Sequence, residues 1–374
     1  MLIFGTRPEA IKMAPLVHKL RAKPKKFDVL VCVTGQHREM LDQVLRIFKI
    51  IPDIDLNVMK SNQDLFDITS SILMGMREVF SKYEPNAVLV HGDTTTTLAT
   101  TMAAFYSGIP VGHVEAGLRT HNLKAPFPEE FNRQITSKAT SWHFAPTTLS
   151  RDNLLAERIS PASISVVGNT VIDALFWILG NIDSDDKRRN AIEAAINKLL
   201  IFNWKDEKFI LVTGHRRENL GDGLSQICSA IYHLATRYPL VNFVYPVHLN
   251  PNVYKPVNDM LEGLNNVHLI KPLEYEHFVY LLKHTYLILT DSGGIQEEAP
   301  SLGKPVLVMR DLTERPEAVE AGTVELVGTN KNHIVASVSR LLDDDIYYER
   351  ISQAHNPYGD GNACDRIVNV LEKI

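Results

Sequence analysis

Cysteine is scarce in this chain: Cys32, Cys228 and Cys364 are the only three among 374 residues. They are too scattered for a disulfide framework or a zinc site and read as three buried thiols. Long apolar runs are missing as well. No segment approaches the roughly 18 residues of a membrane span, and MLIFGTRPEAIK has neither the basic start nor the long apolar region of a signal peptide. A cytoplasmic protein with no membrane partner is expected. Positive charge is not in excess either: 39 basic against 44 acidic side chains give a formal net charge of -5. That leaves no basic stripe of the kind a nucleic-acid binder needs. Low-complexity tracts are absent, and with 45% hydrophobic and 22% charged residues the composition is that of an ordered globular protein. Two phosphate fingerprints are also lacking after the first apolar run, GxGxxG and GxxxxGK followed by Ser or Thr, so neither NAD nor a P-loop nucleotide is supported. No cofactor and no metal are expected.

What is present is a regular beat. Short β-rich runs occur at 1–4, 28–33, 87–91, 110–114, 141–144 and 164–167, separated by amphipathic stretches of helical length such as PEAIKMAPLVHKLRA and TTTLATTMAAFYSG. The beat pauses across GNTVIDALFWILGNIDSDDKRRNAIEAAINKLL and restarts with runs at 208–213, 241–247, 267–270, 286–290, 305–309 and 323–327. Alternation of this kind implies α/β architecture, a doubly wound parallel sheet covered by helices on both faces. The chain is long enough for two such domains, and a boundary is placed near Gly168. The expected arrangement is two Rossmann-like domains, 1–168 and 169–360, facing a cleft, with ligand beyond the carboxyl ends of the strands.

Two apolar runs end on an acid. VLVHGD stops at Asp93 and IPVGHVE at Glu115; as ends of strands joined by one crossover helix, both belong at one rim of the sheet. Asp93 also suits the N-cap of the helix beginning TTTT. Capping does not account for Glu115, whose successors AGLRT are poor helix starters. A third acidic point is Glu129 beside Glu130 in FPEEFNRQ, where a helix-dipole role is equally open. GTRPEAIK places Arg7 and Lys12 at a helix start that attracts anions. In the second half, Ser292, Gly293 and Gly294 of TDSGGIQEE form a turn without side-chain bulk that opens a helix able to cradle phosphate. Glu298, one turn on, is placed to reach a ribose hydroxyl. His215, in VTGHRREN, stands at a strand end beside two arginines, where a phosphate would keep it protonated. Phe278 offers an aromatic face to a base or a core contact. His18, His233 and His284 fall in helical stretches and read as surface or packing residues.

GTRPEAIKMAPL, TGQHREMLDQVL, HGDTTTTLA, GHVEAGLRT, FPEEFNRQ, GNTVIDAL, TGHRREN, YPVHLNPNV, LTDSGGIQEEAPSLGKPVLVMRDLTERPEA and HNPYGDGNAC resemble, in order and spacing, the non-hydrolysing UDP-N-acetylglucosamine 2-epimerases of bacteria from residue 3 to about 365. The resemblance implies a GT-B fold and a homodimer. It implies conversion of UDP-N-acetylglucosamine to UDP-N-acetylmannosamine for cell-envelope polysaccharide, and a last helix, from 361 to 374, that crosses back to the first domain. By motif, Asp93, Glu115, Glu129 and His215 match the family's acid/base set. Arg7, Lys12, Leu273, Phe278, Ser292, Gly293, Gly294, Glu298 and Arg315 match its nucleotide contacts, Leu273 standing where other members often carry Gln.

The chemistry accounts for several acids in one place. A hydrogen on sugar carbon 2 has no adjacent carbonyl, so direct abstraction is prohibitive. Departure of UDP from carbon 1 builds oxocarbenium character that acidifies the neighbouring C–H, and elimination gives a 1,2-unsaturated glycal. Readdition with the proton returned to the other face inverts carbon 2, and two faces need two proton-transfer groups. A hydrolysing epimerase that releases free N-acetylmannosamine shares the intermediate. A glycosyltransferase shares the fold but not the need for three acids, and a sugar-nucleotide sensor without catalysis is the alternative of another class.

Overall fold

The computed structural model describes every residue except Gln36, His37, Ser61, His215, Arg217, Glu218 and Ile374. Its chain divides into two compact units, Met1–Trp177 together with Tyr358–Ile374, and Ile178–Pro357. The division falls inside the helix Thr170–Ser184.

The first unit is built on strands β1 (Leu2–Phe4), β2 (Val31–Val33), β3 (Ile54–Asp55), β4 (Val88–His91), β5 (Val111–Val114), β6 (Trp142–Ala145) and β7 (Ile164–Val166). They form one parallel sheet in the order β3-β2-β1-β4-β5-β6-β7. The second unit carries β8 (Phe209–Thr213), β9 (Asn242–Pro246), β10 (Val267–Ile270), β11 (Leu287–Thr290), β12 (Val306–Val308) and β13 (Val324–Leu326), also parallel, in the order β10-β9-β8-β11-β12-β13. Each sheet reverses direction once, between β1 and β4 and between β8 and β11. That reversal opens a crevice at the carboxyl ends of the two strands on either side.

The apolar runs become buried strands because helices cover both faces. In the first unit Ile3, Val88, Val90 and Val111 pack with Ile72, Met76 and Val79 of the helix Leu65–Tyr83 and with Ala99 and Ala103 of the helix Thr95–Tyr106. In the second, Ile210, Val212, Phe243, Leu287 and Leu289 pack with Ile227, Ile231, Leu234 and Val338. The cysteines are buried free thiols; burial pushes Cys32 and Cys228 up to about 12. His18 stacks on Trp177 with ring centroids 5.1 Å apart, His284 packs edge-on against Trp204 at 5.1 Å, and His233 is exposed. Among the described residues no helix is long and apolar enough to cross a membrane.

Strand β3 has no counterpart in the sequence reading: two residues at a sheet edge leave no period to detect. The last helix, Ala363–Leu371, belongs to the first unit. Asp173, 6% exposed, accepts Ala363 N–H at 3.2 Å and Cys364 N–H at 2.8 Å, satisfying the free donors of that helix start. Lys19 and Lys23 of the first helix, Arg7–Arg21 and the residues just after it, pair with Asp365 and Glu372 at 2.8 and 2.9 Å, and Arg366 donates to the Val167 carbonyl at 3.0 Å. Gly361 sits at φ +80, and a Cβ there would lie 2.4 Å from the Phe176 ring. Replacing Asp173 by Ala orphans two buried N–H groups at a cost of about 1–2 kcal/mol; limited proteolysis is expected to release the last helix faster than in the wild type, and unchanged cleavage would refute the anchoring role.

Candidate active site

At the reversal of the first sheet, the segment after β1 is organised by one carboxylate. Thr6 caps the helix Arg7–Arg21, and Glu9 completes a capping box, its Oε2 accepting Gly5 N–H at 3.0 Å and Thr6 N–H at 2.8 Å. Oε1 of the same residue accepts the Thr94 and Thr97 hydroxyls at 2.6 and 3.4 Å. Glu9, 2% exposed, therefore ties the turn after β1 to the turn after β4. Gly5 permits the close approach: a Cβ there would lie 2.0 Å from Thr34 Oγ1 and 2.5 Å from Thr96 Oγ1. This turn sets out Arg7, half-buried and without an ion pair among the described residues, and Lys12, one helical turn further in and buried.

Asp93 follows β4 by two residues and is not a helix cap. The cap of Thr95–Tyr106 is Thr94, whose hydroxyl accepts Thr97 N–H at 3.2 Å. Asp93 is instead clamped from the helix Glu129–Ala139: Arg133 Nη2 and Nε donate to Oδ2 at 2.6 and 2.9 Å, and Asn132 Nδ2 to its carbonyl at 2.8 Å.

Glu115 follows β5 by one residue, and β5 is the hydrogen-bonded neighbour of β4, with His91 opposite Val114. Its backbone lies in the left-handed region, φ +62, where a branched-off side chain costs roughly 1–3 kcal/mol and is kept at functional sites. The carboxylate forms an ion pair with Lys12 through Oε2. The same oxygen accepts Asn169 Nδ2 at 2.9 Å and lies 3.6 Å from His91 Nε2. Burial alone would push this carboxyl up, but Lys12 and His91 outweigh it and hold Glu115 well below the usual carboxylate range.

The two adjacent glutamates of FPEEFNRQ part company. Glu130 is fully buried and structural, accepting the N–H groups of Thr120 and His121 at 3.0 and 3.1 Å and contacts from Gln134 and Arg133 at 2.9 and 3.3 Å. Burial raises its carboxyl, yet those hydrogen bonds win and leave it lowered. Glu129 opens the helix, half-buried, with no side-chain partner among the described residues.

In the second unit, Ser292 stands at the N-cap position of the short helix Gly293–Glu298, without a side-chain cap hydrogen bond, and that helix follows β11 by two residues. Arg315 lies over Gly293, so that a Cβ at 293 would sit 3.3 Å from its guanidinium carbon. The arginine is held by Glu297 at 2.8 Å and Glu314 at 3.1 Å. Among the described residues, no atom outside the helix's own backbone and the two flanking residues stands within 4 Å of where a Cβ would extend from Gly294. Glu298 is 6% exposed and accepts the Tyr275 hydroxyl at 2.7 Å, while Leu273 and Phe278 are half-buried around the start of the helix Tyr275–His284. The loop after β8 is anchored by Asp291, fully buried, which accepts Arg216 N–H at 2.8 Å and Asn219 Nδ2 at 3.3 Å; His215, in that loop, lies outside the described residues. Among the described residues no three His, Cys, Asp or Glu side chains gather as a metal centre would require.

Glu9, Arg133, Asn169 and His91 were not singled out from sequence. A signal existed for Glu9, since Thr6 and Glu9 have capping-box spacing. The others reach their partners across 24 to 54 residues, beyond any local pattern: His91 lies 24 residues from Glu115, Asn169 lies 54 from Glu115 and Arg133 lies 40 from Asp93.

Two parallel sheets of seven and six strands, each doubly wound, with acids and cations at the strand ends, define a protein of the GT-B fold class. At 12% identity a glycosyltransferase of Rickettsia africae shares that fold alone, with a TM-score of 0.63. The family is marked more sharply. The model described as UDP-N-acetylglucosamine 2-epimerase matches residues 18–372. A UDP-N-acetylglucosamine 2-epimerase of Escherichia coli K12 is 59% identical over 372 residues, covering 100% of this chain and 98% of the relative. The crystal structure of the Neisseria meningitidis enzyme bound to UDP-GlcNAc matches with a TM-score of 0.90 at 53% identity, covering 100% of this chain and 99% of that one. The Methanocaldococcus jannaschii enzyme, in complex with UDP-GlcNAc and UDP, matches at 0.80 and 34%, with the same coverage. The chain belongs to the UDP-N-acetylglucosamine 2-epimerase family.

Because the folded state depresses Glu115, its ionised form contributes stability above the unfolded carboxyl value of about 4.3 and loses it as pH falls through the folded value. Glu115→Gln is therefore expected to lower stability at pH 7 by about 3 kcal/mol, with the gap to wild type closing in acid. Denaturant unfolding followed from pH 7 down through the folded value of Glu115, well below pH 4, measures it, and a gap that stays constant over that whole descent would contradict the ion-pair account.

Proposed function

We propose that this protein interconverts UDP-N-acetylglucosamine and UDP-N-acetylmannosamine by reversible elimination and readdition of UDP, supplying cell-envelope polysaccharide from the cytoplasm. The observation that carries this reading is the cluster at the first sheet's reversal. A charged Glu115 and an Arg-clamped Asp93 end adjacent strands beside Lys12 and an Arg7 that has no ion pair among the described residues, in a chain matched along its length by epimerases.

In this reading Asp93, Glu115, Glu129 and His215 share the proton transfers. Arg7, Lys12, Leu273, Phe278, Ser292, Gly293, Gly294, Glu298 and Arg315 bind the nucleotide. A carboxylate held as low as Glu115 is a weak proton acceptor while Lys12 remains on it. A diphosphate that draws the ammonium away raises the carboxyl's proton affinity at the moment the C–O bond to UDP lengthens. Cations that gather charge on the departing diphosphate act where the transition state develops it. Glu129, half-buried and without a side-chain partner among the described residues, serves as a second acid or base. The arrangement needs no redox partner, since the proton lost from carbon 2 is the only group exchanged besides UDP.

Turnover in deuterated buffer is expected to place deuterium on carbon 2 of both UDP-sugars, read by proton NMR. Asp93→Asn and Glu115→Gln are each expected to lower kcat by about 10²-fold or more. Retention of the original hydrogen would sink the elimination route, and free N-acetylmannosamine with UDP as the product would make the enzyme a hydrolase.

We further propose a homodimer. Helices Leu65–Tyr83, Thr95–Tyr106 and Glu129–Ala139 pack side by side in the first unit. They leave Phe66, Phe105 and Tyr106 exposed at 84%, 63% and 71%, alongside Met74, Phe131 and Ile135. So many large apolar side chains on adjoining helices support the reading that a second copy of this chain covers them. Phe105→Glu with Tyr106→Glu is expected to shift the mass by light scattering from dimer to monomer; a wild-type monomer at micromolar concentration would refute the assignment.

A further inference from the structure

His91 closes β4 with its ring turned inward, 3% exposed, and neither ring nitrogen has a hydrogen-bond partner among the described residues. A buried polar group in that state calls for an explanation. Its Nε2 stands 3.6 Å from Oε2 of Glu115. That oxygen already receives Asn169 Nδ2 at 2.9 Å and the Lys12 ammonium. The other oxygen, Oε1, takes no hydrogen bond from the described residues. Three nitrogens, one from the first helix, one from β4 and one from the segment after β7, thus converge on a single carboxylate oxygen and leave its twin open. A carboxylate gripped by one oxygen has a defined orientation, and a small rotation of either side chain brings His91 into hydrogen-bond range.

We propose that His91 is a positioning residue for Glu115: together with Asn169 and Lys12 it fixes Oε2, so that Oε1 is the oxygen presented to the hydrogen on carbon 2 of the sugar. This rests on the acid/base role of Glu115 in the epimerase reading. His91 also supplies a standby donor on Oε2 when the Lys12 ammonium moves to the diphosphate, so the carboxylate keeps its orientation as its proton affinity rises.

The electrostatic surroundings are few enough to name. The first helix brings Glu9 and Lys12 toward His91, and β5 brings His113 and, one residue beyond it, Glu115; β1, with the sequence LIF, and the start of the helix TTTLATTMAAFY bring no titratable side chain. Asp93, two residues on, is bound by Arg133. Burial pushes His113 down to about 3, and its Nε2 is engaged by the Gly92 carbonyl at 2.7 Å, so it stays neutral through the working range.

The test compares His91→Phe, which keeps the ring volume without a donor, with His91→Gln, whose amide nitrogen reaches the place of Nε2. Carbon-13 NMR of labelled Glu carboxyls reads Glu115 directly, its signal assigned by loss in Glu115→Gln. Removing a donor to the charged form is expected to raise its pKa in His91→Phe by roughly half a unit or more, and His91→Gln is expected to restore it. In kinetics, His91→Phe is expected to lower kcat about tenfold with KM for UDP-N-acetylglucosamine unchanged, and His91→Gln to recover most of it. An unmoved Glu115 titration in His91→Phe would overturn the proposal. So would equal impairment of both variants with a lowered Tm, which is the mark of packing alone. If His91→Phe does not fold, His91→Asn, with the donor withdrawn from Nε2, is read in the same way. Failure of the wild type to epimerise would defeat the functional reading, and the carboxyl titration would still decide for or against His91.

Discussion

Everything at the first sheet's reversal depends on keeping a carboxylate ionised inside the protein. Glu115 is buried among strand ends, and burial alone favours its neutral form. Lys12 makes the charge tenable, and Lys12 can reach it only because the first helix begins immediately after β1 and points its second turn along the neighbouring strand ends. The helix start is in turn fixed by Glu9, a buried carboxylate with four donors, which locks the turns after β1 and β4 together. Two acids from distant parts of the chain thus do different work at one reversal: one is saturated with hydrogen bonds and holds the backbone, the other keeps an oxygen that takes no hydrogen bond from the described residues.

Much of this was legible in the sequence, and the legible part is what local periodicity governs. The twelve apolar runs correspond to strands because parallel strands buried on both faces read as continuous β-branched stretches. Their ends were less well read: the run at 28–33 contributes a strand only over Val31–Val33, since backbone pairing to β1 limits its length more than apolarity does. Strand β3 was invisible because Ile54 and Asp55 sit at an edge where no second face is buried. At the site, Asp93 and Glu115 stood out because an acid ends an apolar run, a chemical anomaly that needs no knowledge of the fold. Arg133 and Asn169 carry no such anomaly. Each is an ordinary polar residue until the chain brings it to a carboxylate 40 or 54 positions away. The cap read onto Asp93 fell to Thr94 for a steric reason: the hydroxyl sits one residue closer to the Thr97 N–H, and the carboxylate is already claimed by Arg133.

The second unit repeats the plan with another emphasis. Its reversal point is also anchored by a buried acid, Asp291, which organises the loop after β8 through Arg216 N–H and Asn219. Here the groups set at the turn are backbone and cation in place of carboxylate. Gly293 is small because the Arg315 guanidinium lies against it, and Glu297 steers that guanidinium from the same short helix. The two units therefore share one structural device, a buried carboxylate that stiffens a strand-to-helix turn, with different groups set out beside it.

The last helix belongs to a unit whose other residues precede it by the whole of the second unit. During synthesis the first sheet leaves the ribosome long before the segment that closes over Asp173 and pairs with Lys19 and Lys23. The nascent first unit must wait with that surface uncovered, while the second unit folds as an insertion within it. Lesions near the carboxyl terminus are therefore defects of the half that is translated first.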